Sequence, residues 1–79
     1  MTSLEKYNAA FIETFDITEE QLNSELVYQS VEAWDSVGHM QLIAALEDAF
    51  DIMLDTDDIV DFSSYDKGKE FMAKYEVEL

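Results

Sequence analysis

The chain has no cysteine, no proline and no arginine among its 79 residues. Without cysteine it can build neither a disulfide framework nor a cysteine-based zinc site. No Pro-rich linker, internal repeat or low-complexity stretch divides it. No apolar run at the N-terminus resembles a signal peptide, and none approaches the length of a membrane span, so the cytoplasm is the default location. The length predicts one domain, residues 1–79, and a monomer. A chain this short buries only about 60% of the surface its unfolded form exposes, too little to enclose a substrate pocket of its own. No catalysed reaction is therefore expected of it.

Positive charge is the scarcest property. Lys6, Lys67, Lys69 and Lys74 are the only basic residues besides His39, and the net charge is −15. From Tyr7 to Asp66 there are fifteen carboxylates and no Lys or Arg. Such a field repels nucleic acid and anionic membranes, and it speeds encounter with basic protein surfaces. Charge alone also fits a plainer purpose, the solubility of a small domain. Yet 48% of the residues are apolar, enough to argue against disorder.

The apolar residues fall into helical patterns. Thr2-Ser3-Leu4-Glu5 has capping-box spacing, and Leu4, Tyr7, Phe11 and Phe15 follow at intervals of three and four. This predicts a helix ending near Phe15 or Asp16. Thr18-Glu19-Glu20-Gln21 repeats the capping spacing and predicts a single turn. From Asn23 to Trp34 no period holds, and Leu26, Tyr28, Val31 and Trp34 read as anchors of a long loop. Such a loop in a compact domain is unusual unless it has a purpose.

The second helix is predicted from Ser36 to Phe50, with Leu42, Ile43, Leu46, Ala49 and Phe50 in one arc. Val37, Met40 and Ala44 form a smaller apolar set nearly opposite, flanked by Glu47, Asp48 and Asp51. Apolar residues ringed by carboxylates on a helix back read as a docking surface. Thr56-Asp57-Asp58 predicts the cap of a short third helix that carries Ile59 and Val60 inward. Ser63 or Ser64 should cap the last helix, with Tyr65, Gly68, Met72 and Tyr75 on its inner side and Lys67, Lys69 and Lys74 on its polar face. Gly68 implies a close contact, and the tail with Val77 and Leu79 is expected to fray.

Ser36 is the candidate functional residue. It stands at the mouth of the most strongly patterned helix, beside backbone N–H groups without helical partners, a setting suited to a phosphate ester. Asp35-Ser36-Val37 followed by Leu42-Ile43-Ala44-Ala45-Leu46-Glu47-Asp48-Ala49-Phe50 resembles the attachment motif of acyl carrier proteins and the pattern after it. The order of helices, the long loop and the acidity extend this resemblance over the whole chain. It implies an all-α, four-helix bundle with a short third helix, and covalent 4′-phosphopantetheine on Ser36. It also implies carriage of acyl groups as thioesters, with partners comprising a phosphopantetheinyl transferase and acyl-loading and acyl-using enzymes with basic docking surfaces. Asp35, Val37, Met40, Ala44, Glu47 and Asp48 would face those partners.

Trp34, the Gly38-His39-Met40 run and Gln41 depart from the usual pattern, and they point to a specialised carrier rather than the housekeeping fatty-acid one. An aminoacyl or peptidyl carrier is the alternative within the class, and an unmodified acidic interaction module is the alternative outside it.

Two other chemistries compete for the same residues. Ser36 and His39 share a helix face, as a nucleophile and base would. Asp35 is badly placed to orient His39 from behind, however, and His39 falls within the apolar arc, which predicts a core-edge histidine. A calcium loop counted from Asp55 would put Ile59 and Val60 where a ligand and a glycine belong. Only diffuse cation association is expected there.

Overall fold

The computed structural model describes residues 2–79 as four α-helices and one short 3-10 turn. The helices are α1 (Ser3–Phe15), α2 (Ser36–Phe50), α3 (Thr56–Asp61) and α4 (Tyr65–Lys74), and the turn is Glu19–Gln21. No strand forms among the described residues, apart from an isolated antiparallel bridge between Val27 and Ser64. The all-α architecture expected from the sequence is present.

Local chemistry starts and stops these helices. The Thr2 hydroxyl accepts the Glu5 N–H while the Glu5 carboxylate accepts the Thr2 N–H, a reciprocal capping box. At the 3-10 turn the Gln21 side-chain oxygen likewise accepts the Thr18 N–H at 3.0 Å, while the Gln21 N–H donates to the Thr18 backbone carbonyl. The helices α1 and α2 both end in Phe-Asp-Ile, and both aspartates, Asp16 and Asp51, adopt the left-handed conformation. The following Ile17 and Ile52 then donate back to carbonyls five residues upstream and pack on the core. At the end of α4, Glu76 takes the left-handed position and the Val77 N–H reaches the Met72 carbonyl at 2.8 Å. Val77 is thus half-buried against the core, where a frayed tail was expected.

The core is built around aromatic rings. Tyr7, Phe11 and Phe15 of α1 meet Trp34, Phe62 and Tyr65, all buried. Leu42, Ile43 and Leu46 of α2 close it from the other side. Gly68 lets α4 approach, because a Cβ there would overlap the Tyr7 hydroxyl and the Phe62 ring. The Tyr7 hydroxyl donates to the Tyr65 carbonyl at 2.6 Å, and burial pushes its phenol far above the ordinary range.

Three of the four expected anchors pin the long loop, Leu26 and Trp34 being buried and Val31 half-buried, whereas the Tyr28 side chain is exposed. The loop backbone is also held. The Tyr28 N–H donates to the Ser63 carbonyl and the Tyr65 N–H to the Leu26 carbonyl, each at 2.8 Å. These bonds lay the loop along the α3–α4 junction.

Three burial assignments need correction. Ala49 is exposed and Phe50 only half-buried, so the inner arc of α2 is narrower than its periodicity suggested. Val60 is 74% exposed rather than turned inward, while Ile59 is half-buried. The cap of α3 is Asp55, one residue before the expected Thr56.

Lys74 does not simply decorate a polar face. Its ammonium contacts both carboxylate oxygens of buried Asp58, at 2.9 and 2.8 Å. The Tyr75 hydroxyl donates to the same carboxylate and accepts the Asp55 N–H. The Lys74 hydrogen bond, with that of Tyr75, holds the Asp58 carboxyl below the usual carboxylate range. This cluster ties α3 to α4.

Candidate functional site at the start of α2

Asp35 is the N-cap of α2, and its Oδ1 accepts the Gly38 N–H at 2.8 Å. Ser36 is the first helical residue, exposed, and therefore not the residue that caps the helix. A serine here as a simple N-cap is the plainest alternative to a functional serine, and Asp35 already has that role. The backbone N–H groups of Ser36 and Val37 lie in the first turn, where no carbonyl of the helix can reach them.

The turn is tightly built. Gly38 is buried, and a Cβ on it would run into the Ala33 carbonyl. Glycine is thus needed at this point to bring the end of the loop against the first turn of α2. The contact places Ser36 at a corner where loop and helix meet.

His39 lies one turn below Ser36 and is half-buried. The Trp34 Nε1–H donates to its Nδ1 at 3.0 Å, and its Nε2 lies 2.7 Å from the Ile59 carbonyl oxygen. An indole nitrogen can only donate, so Nδ1 must be the acceptor and Nε2 must carry the proton it gives to Ile59. Both ring nitrogens are therefore committed. His39 cannot serve Ser36 as a general base without surrendering one of these bonds. The core-edge role that the sequence suggested for it is the one it has.

Beside Ser36 an open groove of about 400 Å³ runs between α2 and α3. Ser36 and Met40 line one wall, Ile59 and Val60 the other, and His39 and Phe62 lie between them. On the outer side of α2, Val37 is 67% and Met40 53% exposed, and Ala44 is also exposed. Exposed Val60 extends this apolar surface onto α3. Asp48 is exposed beside it.

Two of the acidic candidates have internal tasks as well. Asp35 caps α2, and half-buried Glu47 accepts the Leu54 N–H at 2.9 Å, which fixes the connection from α2 to α3. Among the described residues, no three His, Cys, Asp or Glu side chains converge as metal ligands. Also among them, no helix is long and apolar enough to cross a membrane.

Sequence reasoning found Ser36, Asp35 and His39 but not the groove. The groove needs Ile59 and Phe62, twenty or more positions further along, and only chain folding brings them beside Ser36. In comparisons with protein-family models, curated proteins and solved structures, no match to this chain was found. The functional reading accordingly rests on residues and geometry.

Proposed function

We propose that this chain is an acyl carrier whose Ser36 hydroxyl bears a 4′-phosphopantetheine arm. The observation that carries the reading is an exposed serine hydroxyl in the first turn of α2, relieved of capping by Asp35 and opening onto an apolar groove. The N–H groups of that turn and the positive end of the helix favour a phosphate ester beside them. The arm would supply a thiol on a flexible tether, able to hold an acyl group as a thioester. The sequence's resemblance to acyl carrier proteins, in its attachment motif, its order of helices and the long loop before the serine, supports the reading.

In this reading the protein carries and presents rather than reacts. The apolar stripe of Val37, Met40 and Ala44 supplies contact area for an enzyme that loads or uses the cargo, and Asp35, Glu47 and Asp48 supply charge that draws a basic surface toward it. An aminoacyl or peptidyl cargo would use the same site.

Intact mass after incubation with coenzyme A and a broad-specificity phosphopantetheinyl transferase tests the proposal. The wild-type chain should gain one phosphopantetheinyl group, and Ser36→Ala should remain folded and gain none. A chain that stays unmodified, or one modified on a different serine, removes the carrier assignment. An acidic interaction module would then be the better description.

A further inference from the structure

A group tethered at Ser36 has two apolar destinations, the open groove between α2 and α3 or the core beneath it. The boundary between them is formed by Trp34, His39 and Phe62. The planes of Trp34 and His39 are within 13° of parallel, and their ring centres are 6.3 Å apart. An indole N–H points outward in its own ring plane, so the 3.0 Å bond from Trp34 Nε1 to His39 Nδ1 sets the rings edge to edge. They form one broad plate.

The inner end of that plate is fully buried, with Trp34 packed on Phe15 at 5.1 Å between ring centres. Its outer end is fastened to α3 by the bond from His39 Nε2 to the Ile59 carbonyl. Phe62, 1% exposed, lies against His39 at 6.1 Å and fills the space beside it. A chain entering the core through the Trp34–His39 plate must move His39. Doing so would strip the partner from a buried indole N–H, and apolar cargo offers no replacement.

We propose that the Trp34–His39 plate, latched to the Ile59 carbonyl, limits the length of the group carried on Ser36. It closes the core and leaves the carried group only the groove of about 400 Å³, so whatever length exceeds that space stays in water. This inference rests on the carrier reading for its cargo, and on the geometry alone for the barrier. His39 acts here as a positioning residue, because it decides where cargo can go and takes no part in its chemistry.

Trp34 is the only tryptophan in the chain, and its indole therefore reports on the barrier without interference. The experiment loads Ser36 with butyryl-, octanoyl- or dodecanoyl-phosphopantetheine and follows the Trp34 indole N–H resonance, its emission and the thermal melting point. In the wild-type chain the indole signals should stay the same along the series, and any rise in melting should level off once the groove is filled. In His39→Ala, or in His39→Val should the former not fold, longer chains should shift the indole signals and raise the melting point. Each methylene that gained full burial would raise the folding equilibrium constant about fourfold.

A progressive gain in the wild-type chain, with a moving indole resonance, overturns the proposal. So does a folded His39 variant that behaves as the wild type. Because the chain lacks cysteine, a second series can attach butyl, octyl and dodecyl chains to the thiol of Ser36→Cys as mixed disulfides, from alkyl methanethiosulfonates that release methanesulfinate. The same outcomes are expected there. Failure of enzymatic loading would count against the carrier reading, while the thiol series would still decide whether the plate bars the core.

Discussion

Replacing Gly38 by alanine separates the site geometry described here from ordinary helix behaviour, because the two predict opposite signs. In an unconstrained helix, Gly→Ala stabilises by about 1 kcal/mol. At Gly38 the added methyl meets the Ala33 carbonyl oxygen, with the Ala33 carbonyl carbon at 3.0 Å and Asp35 Oδ1 at 3.4 Å. Those neighbours are backbone and a committed cap, and neither can swing aside as a flexible side chain would. Overpacking of this kind costs about 1–3 kcal/mol, and backbone resistance places it at the upper end. Opening the turn also weakens the bond from Gly38 N–H to Asp35, a cap worth about 1 kcal/mol. Against the propensity gain, the net is a loss of about 2–3 kcal/mol, or roughly 10–20 °C in melting temperature for a domain of this size.

The same displacement moves Ser36, so phosphopantetheinyl transfer to Gly38→Ala should slow even at temperatures where the variant is fully folded. Thermal melting by circular dichroism and transfer rates by intact mass read the two effects. A variant as stable as the wild type, or more so, would refute the claim that the loop is pressed against α2 at this glycine.

Three further outcomes are expected. Asp58→Asn should lower the melting point at neutral pH. Because the folded-state carboxyl lies below its unfolded value, its contribution is present above about pH 4 and is lost as the pH falls through the folded value. The gap between wild type and variant should therefore narrow as the pH falls below about 4, and a gap that does not change with pH would contradict the ion pair with Lys74. Asp16→Gly should stabilise by about 1 kcal/mol, since it relieves a left-handed non-glycine residue and removes a negative charge from a helix C-terminus. A drop in melting temperature would mean that the Asp16 side chain has another task. Met40→Glu and Asp48→Lys should both preserve helicity, since both side chains are exposed, yet impair loading by a partner. The first should act on complex lifetime and the second on association rate, with an effect that shrinks as salt rises. Stopped-flow binding to a transferase at two ionic strengths distinguishes them, and unchanged kinetics in both variants would remove α2 from the docking surface. Glu47 is a poorer probe, because its bond to the Leu54 N–H links charge reversal to stability.

Helix existence and phase were legible from residues alone because their causes are local. The capping box of Thr2 and Glu5, the turn at Thr18, the bounds of α2 and the cap at Ser64 each depend on groups within four positions of one another. The same locality made Ser36 stand out, since a helix mouth is a feature of one stretch of chain. Gly68 carried its meaning too: a helix tolerates a glycine at its centre when something packs against it. Periodicity indicates the direction of an inner face but not its width, which is why Ala49, Phe50 and Val60 were placed deeper than they lie.

What only the tertiary structure decided are the pairings between distant positions. Asp58 with Lys74 and Tyr75, His39 with the Ile59 carbonyl, Glu47 with Leu54 and the Val27–Ser64 bridge each join partners separated by a turn or a whole helix. Any of the fifteen carboxylates between Tyr7 and Asp66 had an equal claim on Lys74 by charge, and packing of α3 against α4 chose Asp58. The groove beside Ser36 belongs to the same group. Its walls come from two helices, with His39 and Phe62 between them, and it exists only because the aromatic core sets the distance between those helices. Sequence determined which serine stands exposed at a helix mouth, through the local geometry of a helix start. Folding determined what lies beside that residue, because burial of the rings, and not any local propensity, sets how closely α2 and α3 approach.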